Sequence, residues 1–291
     1  MKYNTKSYGI LRNTYQKFRY GLCSRPSKYV TSPLRVLPDF FVIGVARSGT
    51  TSLFHYLGQH HNIKRASYDE LGYLDENFHL GLNWYRSLFP TKFTKQNIEK
   101  KHKKFLTFDV TPFYIYNPLV IKRILENFPT SKIIANLRNP IDRAYSNFHQ
   151  QIQDNNDTKT TFEELVNEEL DIIKNNKFDL NNPATLVDNF YELLLARGLY
   201  EMQLVPWYNS FSKNQIFIVS SEELADNTNN TLNEIFSFLN ISHIEIKDTS
   251  RQNKRQYPIM KNDTRQLLVE FYKPYNEKLY NLLNRKFDWD K

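Results

Sequence analysis

The chain contains a single cysteine, Cys23, in 291 residues. That excludes an internal disulfide framework and any metal site built from several thiolates. No apolar run approaches the roughly 20 residues needed to cross a bilayer, and the N-terminus lacks an apolar signal-peptide core. A cytoplasmic location fits both absences. Acidic residues are missing from positions 1–38, which carry Lys2, Lys6, Arg12, Lys17, Arg19, Arg25, Lys28 and Arg35. Those eight charges equal the whole formal excess of +8, so the remainder is close to neutral. A basic, tyrosine-rich leader suits a solvated tail, or contact with anionic lipid, nucleic acid or a polyanionic acceptor. No repeat and no clear linker interrupts the chain after residue 40. The expected organisation is a leader over 1–38 and one domain over 39–291, long enough to bury a full core.

Along that domain, short apolar runs alternate with amphipathic stretches. Strands are expected at Phe40–Ile43, at KFLTFD ending on Asp109, at KIIANLR (Lys132–Arg138) and at QIFIVSS (215–221). Helices are expected from Thr50, over Pro118–Phe128, from Pro140 with Asn139 as N-cap, over TFEELVNEELDIIK, over Gly198–Phe211 and over Thr231–Leu239. A basic loop, RQNKRQYP (251–258), precedes a helical tail that ends in FDWD. Strands alternating with helices imply an α/β fold with a central parallel sheet covered by helices on both faces.

The first strand runs into GVARSGTT. Gly44 and Gly49 have Walker A spacing, but Thr50 stands where that motif places lysine, and Arg47 supplies a cation two residues early. A strand, a glycine turn and a helix N-terminus aim several amides at one point and bind an anion before any side chain acts. Ser48, Thr50 and Thr51 add hydroxyls, and Arg47 a planar fork of donors. A second anion site is expected in LRNPIDRAYS, with Arg138 at a strand end and Ser146 two helical turns into the next helix. Strand ends in a parallel sheet share one crevice, so Arg138 and Ser146 could clamp a second phosphate near the first. Two anion sites suit a ligand with phosphates at both ends. The alternative is a P-loop nucleotide kinase or NTPase with a degenerate Walker A, in which Asp109 would hold magnesium.

These motifs resemble those of PAPS-dependent sulfotransferases, in the style of the carbohydrate enzymes (heparan sulfate N- and O-type) and their bacterial relatives. The resemblance spans roughly residues 40–290. GVARSGTTSL resembles the loop that holds the donor's 5′-phosphosulfate, and LRNPIDRAYS the 3′-phosphate site. ENFHLGLNWYRSLFP, RGLYEMQL, RQYP and NEKLYNLLNRKFDWD also have family counterparts. Many relatives carry lysine where Arg47 stands, and others arginine. Asn253, Lys254 and Arg255 stand where the family usually has lysine, glycine and arginine.

The resemblance implies a P-loop NTPase-like three-layer fold, PAPS as donor, no required metal, and transfer of a sulfuryl group to a hydroxyl or amine with release of PAP. It implies that Arg47, with Ser48, Gly49, Thr50 and Thr51, stabilises the leaving oxygen. Arg138, Ser146, Lys254, Arg255 and Tyr257 would grip the nucleotide. Glu70, where relatives have a lysine–glutamate pair, is the candidate base, and Asp69 beside it would raise its pKa. His55 and His79 are rivals for that role, and Trp84 and Tyr85 are candidates to stack on a sugar. The expected acceptor is an oligosaccharide, polysaccharide or glycolipid. No nucleic acid is expected, and peripheral contact with an anionic membrane could run through the leader.

Overall fold

The computed structural model describes residues 26–155, 159–175, 193–252 and 257–289. Cys23 and most of the basic leader lie outside the described residues, as do Asn253, Lys254 and Arg255.

Five strands form one sheet: β1 Phe40–Gly44, β2 Ile63–Arg65, β3 Leu106–Val110, β4 Lys132–Leu137 and β5 Ile216–Ser220. Their order is β2-β3-β1-β4-β5, and every pairing is parallel. All five residues of β1 are buried, as a central strand covered on both faces requires. Alternate residues divide between two cores. Phe41 and Ile43 join Tyr85, Tyr114, Val120, Trp207 and Leu279 on one side. Phe40 and Val42 join Leu53, Phe54, Leu57, Ile235 and Phe236 on the other. The expected parallel, doubly covered α/β sheet is therefore present.

The sequence reading gives four strands, and the structure corrects it to five. The additional strand is β2, three residues at a sheet edge with only Ile63 buried. So short a run carries no alternation to read. The helices that matter for the site are α1 Thr50–Leu57, which follows β1, and α2 Gly81–Ser87 and α3 Pro118–Asn127, which flank β3 in the chain. After β4 come α4 Pro140–Asn155, α5 Phe162–Lys174 and α6 Tyr200–Ser210. Two further helices follow β5, α7 Ser221–Asp226 and α8 Thr228–Phe238, and α9 Asn262–Leu283 forms the tail. The sequence reading does not separate α7, and starts α8 at Thr231 where the structure starts it at Thr228. A third core joins α4, α5 and α9 through Phe148, Phe162, Leu165, Leu268 and Tyr272.

Residues just before β1 pack on the body of the protein. Arg35 Nη1 donates to the Phe89 carbonyl at 2.8 Å, and Val36 N to the Pro90 carbonyl at 3.0 Å. Among the described residues no helix is long and apolar enough to cross a membrane.

From β1 the chain passes to the β3 side of the sheet, and from β3 it crosses to β4 on the other side. The carboxyl ends of β1 and β4 therefore flank a topological switch point, where ligands bind in open α/β sheets. Arg47 follows β1 and Arg138 follows β4.

Candidate active site

The turn after β1 is tight because its backbone is pinned from several directions. Gly44 packs so closely that an added Cβ would lie 2.9 Å from Ile115 Cγ2 and 3.0 Å from the Pro112 carbonyl oxygen. Arg47 (φ 72) and Gly49 (φ 86) both adopt the left-handed region, which reverses the chain into α1. Gly49 is the N-cap of that helix. Asn136 Nδ2 and Ser221 Oγ both donate to the Ser48 carbonyl, at 2.6 and 2.8 Å. Val45 N donates to the Asn136 carbonyl at 2.9 Å. Ser48 Oγ donates to the Val45 carbonyl at 2.6 Å, so its hydroxyl hydrogen closes the turn. The first-turn amides of α1 have no carbonyl partner within the helix, and the positive end of its dipole adds to them. Thr50 is buried beside them and Thr51 half-buried.

Arg47 reaches across the switch point. Its Nε and Nη2 both donate to Ser146 Oγ at 3.1 Å, and Nη2 also donates to Tyr257 OH at 3.1 Å. Ser146 Oγ and Tyr257 OH are themselves 3.1 Å apart. Arg138 Nη1 donates to the Arg47 carbonyl at 2.9 Å. Four of the residues expected from two separate motifs and a distant loop thus converge on one place. Burial pushes the Arg138 guanidinium down from its ordinary value, against the stabilising charges of Asp142 and Glu222. An arginine still keeps its proton at any biological pH. Two cations held this close, with Asp142 engaged by Arg265 at 2.8 Å, favour a bound anion.

Asn139 caps α4 as expected, its Oδ1 accepting from Ile141 N at 2.9 Å. Tyr200 OH, buried, donates to the Arg138 carbonyl at 2.8 Å and fixes the end of β4. Tyr257 is held by a stack on His149, with ring centroids 4.9 Å apart and planes 14° from parallel. Tyr145 OH donates to the neighbouring Pro258 carbonyl at 3.0 Å. Tyr145, Ser146 and His149 lie at helical spacing on α4, so one helix face serves Arg47 and the Tyr257 loop together. The loop before Tyr257 is tied to α1: Ser52 Oγ accepts from Gln252 N at 2.9 Å, and Tyr56 OH donates to the Thr249 carbonyl at 2.9 Å.

Asn136, Ser221 and His149 support the site, and sequence reasoning does not single them out for it; Tyr200, whose place at a helix start offers it to the sequence as an ambiguous sugar-stacking residue, is instead buried under the end of β4. Asn136 carries a usable signal, a lone amide inside the apolar strand KIIANL. A polar side chain in a fully covered strand needs a partner, and here the partner is the turn.

Glu70 sits at the carboxyl end of β3, where its main-chain N donates to the Val110 carbonyl at 2.6 Å. Val110 is paired with Val42 of β1, which places the Glu70 loop beside the turn that follows β1. Glu70 is half-buried and takes φ 54. Of the rival residues, His55 lies on α1 against Arg65, its Nδ1 at 3.0 Å from Nη1. His79 is exposed near the Glu76 carbonyl. Trp84 and Tyr85 are core residues, 8 % and 0 % exposed, which removes both as sugar-stacking candidates.

Asp109 does not serve as a Walker-type ligand. Its carboxylate is wholly buried and accepts from Tyr85 OH (2.8 Å), Thr111 Oγ1 (2.9 Å) and Tyr114 OH (3.0 Å). Three hydroxyls already use its acceptor positions, and burial lifts its pKa to about 6. The arrangement does not fit a magnesium ligand, and the kinase alternative loses the residue that supported it.

Comparison with known proteins agrees with this geometry. The model of the sulfotransferase domain matches residues 37–277. The chain belongs to the sulfotransferase family. Among curated relatives, the membrane-associated sulfotransferase kil1 of Dictyostelium discoideum is 31 % identical over 89 % of this chain and 68 % of its own length. Heparan sulfate glucosamine 3-O-sulfotransferase 3B1 of Mus musculus is 27 % identical over 87 % of this chain and 65 % of its own. The chain thus spans about two thirds of the length of these relatives. A solved sulfotransferase from Alicyclobacillus acidocaldarius superposes with a TM-score of 0.65 at 24 % identity, covering 88 % of this chain and all of that one. Its likeness supports the P-loop NTPase-like fold of the sulfotransferases.

Proposed function

We propose that this sulfotransferase moves a sulfuryl group from PAPS to a hydroxyl or amine of a carbohydrate and releases PAP. The observation that carries this reading is Arg47 donating to Ser146 and Tyr257 while Arg138 donates to the Arg47 carbonyl. A donor with a phosphosulfate at one end and a 3′-phosphate at the other matches cationic groups at two adjacent strand ends. The α1 amides with Thr50, Thr51 and Arg47 hold the 5′ end; Arg138 and Ser146 hold the 3′-phosphate, with Tyr257 and the basic pair Lys254 and Arg255 from the same loop.

Sulfuryl transfer breaks the bond from sulfur to the 5′-phosphate oxygen and makes one from sulfur to the acceptor oxygen or nitrogen. Arg47 and the turn amides stabilise the charge that grows on the departing oxygen. Arginine is a poor proton donor, so this help is electrostatic. Glu70 takes the acceptor's proton. Fixing donor and base on neighbouring strand ends supplies the alignment that an in-line displacement needs.

The acceptor is proposed as an oligosaccharide, polysaccharide or glycolipid, because relatives named for heparan sulfate and carbohydrate sulfation match most of this chain. The basic leader gives a peripheral contact with an anionic membrane or a polyanionic acceptor, and a cytoplasmic location is retained as part of this reading. Transfer of labelled sulfate from PAPS, screened across polysaccharide, glycolipid, small-alcohol and peptide acceptors, tests it. Label in a carbohydrate fraction, lost in Arg47→Ala, is the expected result; label only in tyrosine peptides would overturn the acceptor class.

A further inference from the structure

The carboxyl end of β3 carries a closed set of hydrogen bonds that the donor turn does not use. Thr111 Oγ1 donates to Asp109 Oδ1, and Tyr114 OH to Asp109 Oδ2. Each hydroxyl has one hydrogen, and Asp109 takes it. An ionised carboxylate can only accept, so it fixes the direction in which both hydroxyls donate. Their lone pairs are then left for main-chain amides. Thr111 Oγ1 accepts from Gly72 N at 3.3 Å, and Tyr114 OH accepts from Leu74 N at 3.0 Å.

Together with the bond from Glu70 N to the Val110 carbonyl, alternate residues 70, 72 and 74 are fastened to one strand end. This anchoring has something to hold. Glu70 and Gly72 both take left-handed backbone angles, φ 54 and φ 59, and a non-glycine residue persists there when its surroundings over-determine it. Tyr85 from α2 completes the cage around Oδ2.

We propose that Asp109 is a positioning residue for Glu70: by orienting Thr111 and Tyr114, it locks the loop that carries the base against β3, beside the donor turn. The inference rests on Glu70 being the base. Replacing Asp109 with asparagine would present N–H groups to hydroxyls that now donate. At least one hydroxyl would have to turn its hydrogen away and accept from the asparagine, which disturbs the geometry that now receives its loop amide.

Because Asp109 is wholly buried and its loss endangers the fold, the decisive variants lie one bond away. Thr111→Val removes the hydroxyl at nearly constant volume, and Thr111→Ser keeps it. On the full chain, three quantities are read: amide exchange at Gly72, PAP affinity, and kcat for labelled sulfate transfer from PAPS to heparan sulfate chains. Thr111→Val should speed Gly72 exchange about fivefold, the loss expected for one hydrogen bond. It should lower kcat by about tenfold, as a misplaced base does, with PAP affinity and the KM for PAPS unchanged. Thr111→Ser should restore both exchange and kcat.

Wild-type exchange at Gly72 in Thr111→Val would overturn the anchoring. Equal kcat losses in the valine and serine variants would overturn the role of the hydroxyl. Glu70→Ala separates this inference from the reading beneath it. If that variant binds PAP and is inactive, Glu70 stands as the base and the Thr111 pair decides the positioning. If it turns over like the wild type, the base assignment falls and takes the positioning with it, whatever Gly72 exchange shows.

Discussion

Glu169→Gln probes a buried carboxylate that anchors the segment leading to Arg197 and Tyr200. Both oxygens of Glu169 accept main-chain bonds, from Leu194 N and Leu195 N at 2.7 Å each. Burial raises its pKa from 4.5 to about 7, opposed by those amides and by Arg197 and Arg143. The folded protein therefore binds this proton more tightly than the unfolded chain. The associated stability is complete below the unfolded value and is lost as pH rises through the folded one. At about 1.4 kcal/mol per pH unit across that window, the loss reaches about 3 kcal/mol by pH 8. Glutamine cannot titrate, and its amide must turn an N–H toward one of the two donors, costing about 1–3 kcal/mol at every pH. The variant should be less stable than the wild type at pH 5, and the gap should close or reverse at pH 8. Asp39 and Asp109 are also raised to about 6, but both proteins share them, so the difference between the two isolates Glu169. Urea unfolding at equal m-values measures it. Parallel pH profiles for the two proteins would refute the reasoning.

Two further outcomes follow from the site. Arg138→Ala should weaken PAP binding by about 10–100-fold, the worth of one charge-assisted phosphate contact; calorimetry at wild-type affinity would remove Arg138 from the donor site. Gly44→Ala should cost about 1–3 kcal/mol of stability through overpacking against Ile115 and the Pro112 carbonyl, and an unchanged denaturation midpoint would contradict the close approach.

The sheet was legible because β1, β3, β4 and β5 are continuous apolar runs bounded by turns, which is how covered parallel strands read. The β2 strand was not, since three residues with one buried position leave no pattern. Arg47, Arg138 and Ser146 could be named from local motifs and Tyr257 from the family resemblance, and folding brings those three segments together at that point. Asp109 shows the opposite case. Its strand reads as a Walker-type metal site, yet the hydroxyls that occupy it come from Tyr85, 24 residues earlier in the chain, and from Thr111 and Tyr114 just beyond the strand. Nothing local announces that Tyr85 closes the set, or that all three hydroxyls turn onto the carboxylate. Asn136 lies between these cases: the lone amide was visible, but its destination, the Ser48 carbonyl 88 residues away, was not.

Titrating the protein with PAP, and separately with ATP and magnesium, tests the donor site most directly. The site described here predicts micromolar PAP binding that does not depend on magnesium, with ATP much weaker. Micromolar binding of ATP with magnesium, and no heat from PAP, would contradict it.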